Sequence, residues 1–509
     1  MVNEQSLTDC HLAPQVCQQA RLSRDARFDG QFFTGVITTG IYCRSICPAP
    51  APHEKNVRYF DSAIKAANAG LRPCLRCRPD SAPSSNAWRG TQTTLNRALT
   101  LIEQGYLYGD NAMPVTELAE KLGITSRYLS QLFNQQLGTS PKRFAQYQQL
   151  MFAKQLLHQT SLSMTDIAMA AGFNSIRRFN EVFQQHLQLT PSAIRKLSRS
   201  TIATQVTCDN PLMTVNPITL TLAYRPPLNW PKMLQFYAFR QVKHMEVIND
   251  NGYMRSFSFN GINGVFAAKH HHNKPQLDVS IYFVNALDIK YLHKVVLKVR
   301  ALFDLDADMQ VIEQALTPIT SLGANIDVGL RIPGTANVFE AVCRAVLGQQ
   351  VSVLQATKLL NTLVQHYGEP LSLNGKIWRL FPTPKVIAQA SLDELKMPGA
   401  RKLALNALGT YVSQYPESTP QDWLSVKGIG PWTVAYAQMR GFSEPDVFLT
   451  TDLVIKNRLH ALHQLAQRPI ESTKSYSQIA KHISEQVSPW GSYLTFQLWD
   501  ENPLTSIQE

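Results

Sequence analysis

Four cysteines in two closely spaced pairs constrain the fold of this chain more than any other feature. Cys43 and Cys47 form a C-x3-C pair, Cys74 and Cys77 form a C-x2-C pair, and 26 residues separate the two pairs. Two such pairs can close one tetrahedral site, which is how structural zinc is held, and zinc keeps its thiol ligands deprotonated. The spacing therefore predicts one Zn2+ bound by all four cysteines.

Arginines surround both cysteine pairs, so the predicted metal site lies in a positive field that attracts phosphate. We expect these residues to contact DNA: Arg44, Arg72, Arg76 and Arg78. A thiolate is also a nucleophile, whereas a thiol is not. From the spacing alone, a zinc knuckle that only stabilises a small domain remains an alternative to a reactive site.

Residues 35–48 and 71–80, which contain the two pairs, closely resemble the N-terminal domain of the bacterial Ada methylation-response family. The resemblance implies a small α+β zinc domain over residues 1–80. In that family one zinc-bound thiolate takes a methyl group from a DNA methylphosphotriester, and the protein is consumed. The family's acceptor is the first cysteine of the C-x3-C pair, so the resemblance implies that Cys43 is the catalytic nucleophile.

Length and charge fit a multidomain protein that binds DNA. The chain has 509 residues and a net charge of +12, of which +9 falls within residues 1–200. This charge predicts a phosphate-rich partner. We expect a cytoplasmic protein without a membrane span, because no run of eighteen apolar residues and no signal peptide occurs, and the cysteines do not indicate disulfides.

A repeat occupies the segment after a predicted linker at residues 81–86. Residues 117–124 match residues 166–173, and each copy shows an amphipathic helix, a glycine turn and a second helix. The segment resembles the AraC-type DNA-binding domain, which implies an all-α double helix-turn-helix domain over residues 92–199. A plain helical bundle is the alternative. Six residues near the second helices are expected to contact DNA: Ser126, Arg127, Asn174, Ser175, Arg177 and Arg178.

Alternating strands follow a second predicted linker at residues 200–210. The pattern predicts strands at residues 218–222, 256–259 and 278–283 and a helix at 292–302. Residues 224–230 resemble the opening of AlkA, the 3-methyladenine-type DNA glycosylase. We therefore expect an AlkA N-terminal-like α+β domain over residues 214–318.

A glycine turn at residues 424–433 has the pattern of a helix-hairpin-helix, in which backbone N–H groups can meet a DNA phosphate. Gly428 and Gly430 form this turn, and Asp452 follows 22 residues after Gly430. The combination resembles the AlkA branch of the helix-hairpin-helix glycosylases and implies an all-α glycosylase domain over residues 319–503. Asp452 matches the family's catalytic aspartate.

Aromatic residues of the predicted base pocket match the AlkA family at Trp432, Tyr436 and Trp490, although each could instead be ordinary core packing. Trp432 occupies the position of the Schiff-base lysine of bifunctional relatives, which favours base excision without strand cleavage. Gln350 occupies the position of the family's intercalating leucine. Leu453 replaces a tyrosine, which leaves the range of excised bases open.

The sequence thus predicts a fused alkylation-damage protein. Its front half senses methylphosphotriesters and binds promoter DNA, and its back half excises alkylated purines. The expected partners are damaged and promoter double-stranded DNA and RNA polymerase, and the expected state is a monomer. Two alternatives remain: a regulator with an inactive glycosylase-like half, and a repair enzyme whose helix-turn-helix pair only anchors it to DNA. The chain lacks the Pro-Cys-His-Arg motif of O6-methylguanine methyltransferases, so that activity is not predicted.

Overall fold

The structure is a computed structural model of the chain. It describes residues 8–9, 12–24, 28, 32–47, 49–60, 65–66, 69–74, 77, 91–109, 112–202, 216–259, 261–271, 273–320, 326–465 and 476–499. The chain divides into two compact units, Met1–Tyr147 and Gln148–Glu509. Each unit is described by itself.

A five-stranded sheet forms the first part of unit 1. The strands are β1 (Thr8–Asp9), β2 (Phe33–Val36), β3 (Ile41–Arg44), β4 (Val57–Phe60) and β5 (Arg72–Pro73). They have the order β1-β4-β2-β3-β5 in the sheet. Helix α1 (Pro14–Ser23) packs Cys17 and Ala20 against Phe32 and Tyr59. Because β3 and β5 run parallel and pair Tyr42 with Pro73, the ends of both strands bring the two cysteine pairs together.

Seven helices follow among the described residues and carry both copies of the repeat. They are α2 (Thr91–Glu103), α3 (Val115–Lys121), α4 (Ser126–Leu137), α5 (Pro141–Gln159), α6 (Met164–Ala170), α7 (Ile176–Leu187) and α8 (Pro191–Ile202). The turns of the two copies match, because Gly123 and Gly172 both take left-handed φ angles, +70° and +76°.

The predicted helix-turn-helix pattern is confirmed, with α3–α4 as the first copy and α6–α7 as the second. The long helix α5 joins the copies and contains the boundary between the two units. The second predicted linker begins later than expected, since α8 continues to Ile202; residues 203–210 lie outside the described residues, as does the linker predicted at 81–86.

A five-stranded antiparallel sheet forms the core of the α+β part of unit 2. Its strands are β6 (Ile218–Ala223), β7 (Glu246–Asn249), β8 (Gly252–Phe259), β9 (Ile262–His270) and β10 (Gln276–Phe283). Their order in the sheet is β6-β10-β9-β8-β7. Three helical segments pack with it: α9 (Trp230–Phe239), the 3-10 helix Ala286–Tyr291 and α10 (Leu292–Leu302). The predicted strands and the predicted helix at 292–302 are therefore confirmed.

The rest of unit 2 is helical apart from the hairpin β11–β12 (Pro370–Leu373 and Lys376–Arg379). Its helices are α11 (Met309–Ala315), α12 (Thr317–Thr320), α13 (Val338–Gly348), α14 (Val353–Tyr367), α15 (Pro384–Gln389), α16 (Gly399–Gln414), α17 (Pro431–Gly441), α18 (Leu453–Leu465), α19 (Tyr476–Val487) and α20 (Gly491–Trp499).

A buried ion-pair network ties the α+β part to this helical part. Arg255 on β8 donates to Glu246 on β7 and to Glu340 on α13, and Arg344 on α13 bonds both carboxylates. All four side chains are at most 9% exposed. Because each buried charge has a partner of opposite sign, the network fixes α13 against the sheet.

The multidomain fold class predicted from the sequence is confirmed: a small α+β zinc domain, an all-α double helix-turn-helix domain, an α+β domain and an all-α helical domain. None of the helices in the described part of the chain combines the length and hydrophobicity that a membrane crossing requires.

Candidate functional site

The four cysteines converge at one edge of the unit 1 sheet. Cys43 lies in β3 and Cys47 follows that strand, while Cys74 and Cys77 follow β5. The sulfur atoms of all four lie within 4.8 Å of one another, and Cys47 and Cys74 have their Sγ atoms 3.9 Å apart. A tetrahedron with Zn–S bonds of about 2.3 Å has sulfur atoms about 3.8 Å apart. The cluster is therefore positioned to hold one zinc ion.

The chemistry of the cluster also calls for a cation. Without a metal, the hydrogen bond between Cys43 and Cys47 raises the pKa of the Cys43 thiol and lowers the pKa of the Cys47 thiol, so the sulfur atoms share protons instead of all ionising. Bound zinc removes this restriction because it keeps each thiol deprotonated. Cys74 and Cys77 are buried, whereas Cys43 and Cys47 are half-buried, so the reactive candidate belongs to the more accessible pair.

The arginines near the cluster differ in exposure. Arg44 is buried, its backbone N–H lies 3.4 Å from Cys77 Sγ, and its Nη1 donates to the carbonyl oxygen of Cys77. Arg44 therefore supports the ligand loop. Arg72 is exposed on β5, where it can meet a phosphate. Arg76 and Arg78 lie outside the described residues, and contact of all four arginines with DNA stays a prediction.

Both second helices of the repeat begin in the same way. Thr125 and Ser175 are the residues before α4 and α7, and their hydroxyl oxygens accept from the backbone N–H of Tyr128 and Arg178. Ser175, predicted to contact DNA, thus also stabilises α7. The other predicted contact residues lie at or just before the first turn of α4 or α7, where a groove-reading helix makes its contacts: Ser126, Arg127, Asn174, Arg177 and Arg178.

The predicted hairpin turn in unit 2 leads directly into α17. Gly428 has a φ of +94°, and a Cβ atom there would lie 2.6 Å from the Cβ of Ala404, so only glycine fits. Gly430 precedes α17, and a Cβ there would meet open space. The open space at Gly430 leaves room for a DNA backbone to approach the turn, as phosphate binding requires.

Asp452 is held by four N–H donors. The indole Nε1 of Trp432 donates to Oδ2 at 3.2 Å, and the indole Nε1 of Trp499 donates to Oδ1 at 3.2 Å. The backbone N–H groups of Val454 and Ile455, in the first turn of α18, donate to Oδ1 at 3.0 and 3.3 Å. The helix N-terminus adds a favourable dipole for an anion. This arrangement fixes a carboxylate while leaving it half-buried.

An aromatic cluster adjoins the carboxylate. Trp432 and Tyr436 stack with ring centroids 5.4 Å apart, and Trp499 lies 6.1 Å from Tyr436. Burial alone would raise the pKa of Tyr436, but the charge of Arg440 and the hydrogen bond that its Nη1 donates to the phenol oxygen outweigh burial, so that pKa is lowered. An electron-rich aromatic cluster can hold a cationic base.

Trp499 is a site residue that the sequence interpretation missed. Trp490, which was predicted instead, has its ring against Tyr493 at 5.9 Å, and its place in the pocket stays a prediction. A signal for Trp499 was present in the sequence, because Tyr493, Phe496 and Trp499 recur every three residues along α20. The helical periodicity places them close to one face.

Gln350 is exposed, in a loop that is hydrogen-bonded to the hairpin turn and to α17. Its φ is +56°, a left-handed conformation that is unusual outside glycine. The neighbouring Gln349 donates from Nε2 to Gly428 O and to Thr433 Oγ1, and Arg401 donates to Gln349 O. The surrounding bonds thus hold Gln350 outward beside the turn.

Family comparisons agree with this arrangement. The metal binding domain of Ada matches residues 16–80, a helix-turn-helix domain matches 118–197, and the AlkA N-terminal domain matches 219–337. A probable bifunctional transcriptional activator/DNA repair enzyme AlkA of Mycobacterium tuberculosis is 33% identical over 495 residues, 95% of each chain. The chain belongs to this family of bifunctional activators and repair enzymes. The Ada-type, AraC-type and AlkA-type resemblances are thereby confirmed.

Two further relatives each match one part of the chain. DNA-3-methyladenine glycosylase 2 of Escherichia coli is 33% identical over 291 residues, which cover 55% of this chain and 96% of that protein. The bifunctional transcriptional activator/DNA repair enzyme Ada of Escherichia coli is 31% identical over 179 residues, covering 35% of this chain and 48% of that protein. This chain thus joins a zinc domain, a helix-turn-helix domain and a glycosylase-type domain.

Proposed function

We propose that this protein accepts methyl groups from DNA methylphosphotriesters at Cys43, binds specific promoter DNA to activate transcription, and excises alkylated purines with the help of Asp452. The observation that carries the proposal is the convergence of the Trp432 and Trp499 indoles on Asp452, next to aromatic rings that suit a cationic base. The four-sulfur cluster in unit 1 supports the methyl-transfer part.

Methyl transfer at Cys43 is a direct displacement. Bound zinc supplies a thiolate at neutral pH. The Cys43 sulfur attacks the methyl carbon of the triester, a sulfur–carbon bond forms, and the carbon–oxygen bond breaks with its electron pair left on the phosphate oxygen. The phosphate regains its negative charge. The thioether that forms is stable to hydrolysis, so each protein molecule reacts once.

Methylation removes the negative charge of one thiolate, and this change of charge links methyl transfer to DNA binding. Four thiolates and one zinc ion carry a formal charge of about −2, and methylation of Cys43 leaves about −1. Repulsion from neighbouring phosphates then falls, so affinity for promoter DNA rises, chiefly at low salt. The helix-turn-helix pair reads the promoter, and the activated protein contacts RNA polymerase as a monomer in the cytoplasm.

Base excision uses the negative charge of Asp452. An N-alkylated purine is positively charged and leaves readily, so the glycosidic bond breaks toward an oxocarbenium-like sugar that Asp452 stabilises and water then attacks. The flipped base enters the aromatic cluster of Trp432 and Tyr436. Gln350 occupies the gap in the duplex, while Gly428 and Gly430 contact the DNA backbone.

One experiment tests both reactions on the full-length, zinc-loaded protein. Incubation with DNA that carries methylphosphotriesters, followed by mass spectrometry of peptides, should place one added methyl group on Cys43. Incubation with duplexes containing 7-methylguanine or 3-methyladenine should release the free base without strand cleavage. Methyl on Cys47, Cys74 or Cys77 contradicts the acceptor assignment, and a protein that releases no base is a regulator with an inactive glycosylase-like half.

A further inference from the structure

The outer edge of β6 has no neighbouring strand among the described residues, yet side chains from α5 satisfy its backbone. The N–H of Thr221 donates to Gln159 Oε1 at 2.9 Å, and Nε2 of Gln155 donates to Thr221 O at 3.2 Å. Nε2 of Gln155 also donates to Gln159 Oε1 at 3.3 Å, which orients the two amides. Glutamine side chains thus replace the hydrogen bonds of a missing strand at a sheet edge.

Apolar packing accompanies these hydrogen bonds. Phe152 of α5 lies against the ring of His293 on α10 with centroids 4.4 Å apart. Burial, with a smaller contribution from Lys294, lowers the pKa of His293 to about 4, so the ring is neutral at neutral pH and packs as an uncharged group. One continuous hydrophobic cluster includes residues of α5, α6 and α7 together with residues of β6 and α10.

Helix α6 lies in the middle of this region. It packs on the 3-10 helix Ala286–Tyr291 and also on α7, whose Arg177 and Arg178 side chains are 89% and 53% exposed. Helix α7, which would enter the DNA groove, is therefore separated from the α+β domain by α6 alone along this path of contacts. Both belong to unit 2.

We propose that the second helix-turn-helix is docked on β6 as a fixed joint and serves as a DNA-binding arm of the glycosylase half. The joint consists of Phe152, Gln155 and Gln159 on one side and Thr221 and His293 on the other. Because the joint buries apolar surface and satisfies an edge strand, its two sides stabilise each other. The part of this proposal that concerns excision rests on the proposed function.

Amide hydrogen exchange of the full-length protein tests the joint. The double variant Gln155→Ala/Gln159→Ala should exchange at least 10-fold faster in peptides that cover β6, and several-fold faster in peptides that cover α6 on the opposite side. Gln184→Ala removes an exposed glutamine of α7 and should leave both peptides unchanged. Phe152→Leu is a milder change of the apolar contact, so it should accelerate exchange in both β6 and α6, but less than the double variant does.

The exchange pattern separates a joint from a local contact. Faster exchange in β6 alone, with α6 unchanged, means that the glutamines only cap the strand, and the proposal is then wrong. No change in either segment, or the same change in Gln184→Ala, overturns it as well. None of these readouts depends on base excision.

The DNA-binding arm is tested by Arg177→Ala/Arg178→Ala in single-turnover excision. The protein concentration that gives half-maximal rate should rise about 5-fold or more, because two phosphate-binding charges are lost, and its dependence on salt should weaken. The maximal rate should stay the same. An unchanged half-maximal concentration would show that the second helix-turn-helix does not act as a DNA-binding arm in excision. A parent protein without any excision contradicts the proposed function instead.

Discussion

The cysteine cluster of unit 1 and the Asp452 site of unit 2 both gather acidic side chains, but they compensate negative charge by different means. Four sulfur atoms within 4.8 Å of one another need a cation before they can all ionise. At Asp452 the protein itself supplies the partners of the anion, since two indoles and two backbone N–H groups donate to the carboxylate. The difference suits the proposed reactions: a sulfur nucleophile is consumed, whereas a fixed anion acts repeatedly.

The largest effect is expected at the metal site. Cys43→Ser should abolish methyl transfer completely, because a serine hydroxyl stays protonated at neutral pH and is a far weaker nucleophile than a thiolate. Excision should be unchanged, since Asp452 lies in the other unit. Mass spectrometry of the methylated peptide and an excision assay on the same preparation measure both.

Cys343→Ala is the matched control, because this buried thiol lies on α13 outside the cluster. It should keep full methyl transfer. Removal of zinc by a chelator should reproduce the Cys43→Ser result, with excision again retained. Parallel loss of both activities after chelation contradicts the separation of the two sites.

The second effect is expected at Asp452. Asp452→Asn keeps the shape of the side chain but removes its charge, so excision should slow about 10²–10³-fold, the usual cost of one preorganised electrostatic group. Affinity for damaged DNA should change far less. Single-turnover excision and a binding titration separate the two quantities.

Asp393→Asn, which changes an exposed carboxylate of the same helical region, should excise at the parental rate. If Asp452→Asn is as fast as the parent, the charge does not act in the reaction.

A change at Trp499 tests how much one of the four N–H donors to Asp452 contributes to the rate of excision. Trp499→Phe keeps an aromatic ring but removes the hydrogen bond to Asp452 Oδ1, so excision should slow about 10-fold, roughly 1.4 kcal/mol. Trp490→Phe, whose ring contacts Tyr493, should cost less. A larger loss in Trp490→Phe would place that residue in the pocket, as the sequence analysis predicted.

Much of this arrangement could be predicted from short motifs. The cysteine spacing identified all four metal ligands, and the glycine turns located both helix-turn-helix copies. The sequence could not show that Arg44 is buried under the ligand loop, because burial depends on the pairing of β3 with β5. It also could not show that α5 covers β6, since Gln155 and Thr221 are 66 residues apart. The residues that flank a glutamine in a helix do not show whether its side chain is exposed or bonded to a distant strand.

Asp304, a second carboxylate of unit 2, provides the last and smallest test of the comparison, because it is buried and has fewer hydrogen-bond donors than Asp452. Asp304 accepts hydrogen bonds from Tyr493 Oη at 2.8 Å and from the N–H of Ile332 at 3.2 Å. Burial raises the pKa of Asp304 to about 7, although both hydrogen bonds and the charge of Arg331 oppose this shift.

The sign of the pH effect follows from that raised pKa. In the unfolded chain the carboxyl has a pKa of about 3.9, so between about pH 4 and 7 the folded state holds a proton that the unfolded state has lost. The free energy of unfolding therefore falls as pH rises through this window. Asp304→Asn has no proton to lose, so the melting temperature of the parent relative to this variant should drop by a few degrees from pH 5 to pH 8.

Thermal unfolding of both proteins at pH 5 and pH 8 measures this difference. Tyr493→Phe is the companion variant: it removes the donor that the ionised Asp304 needs most, so it should destabilise the protein more at pH 8 than at pH 5. A difference between parent and Asp304→Asn that is the same at both pH values would mean that Asp304 has the same pKa in the folded and the unfolded protein. Asp304 and Asp452 would then differ in their number of hydrogen-bond donors, but burial would not have shifted the ionisation of Asp304.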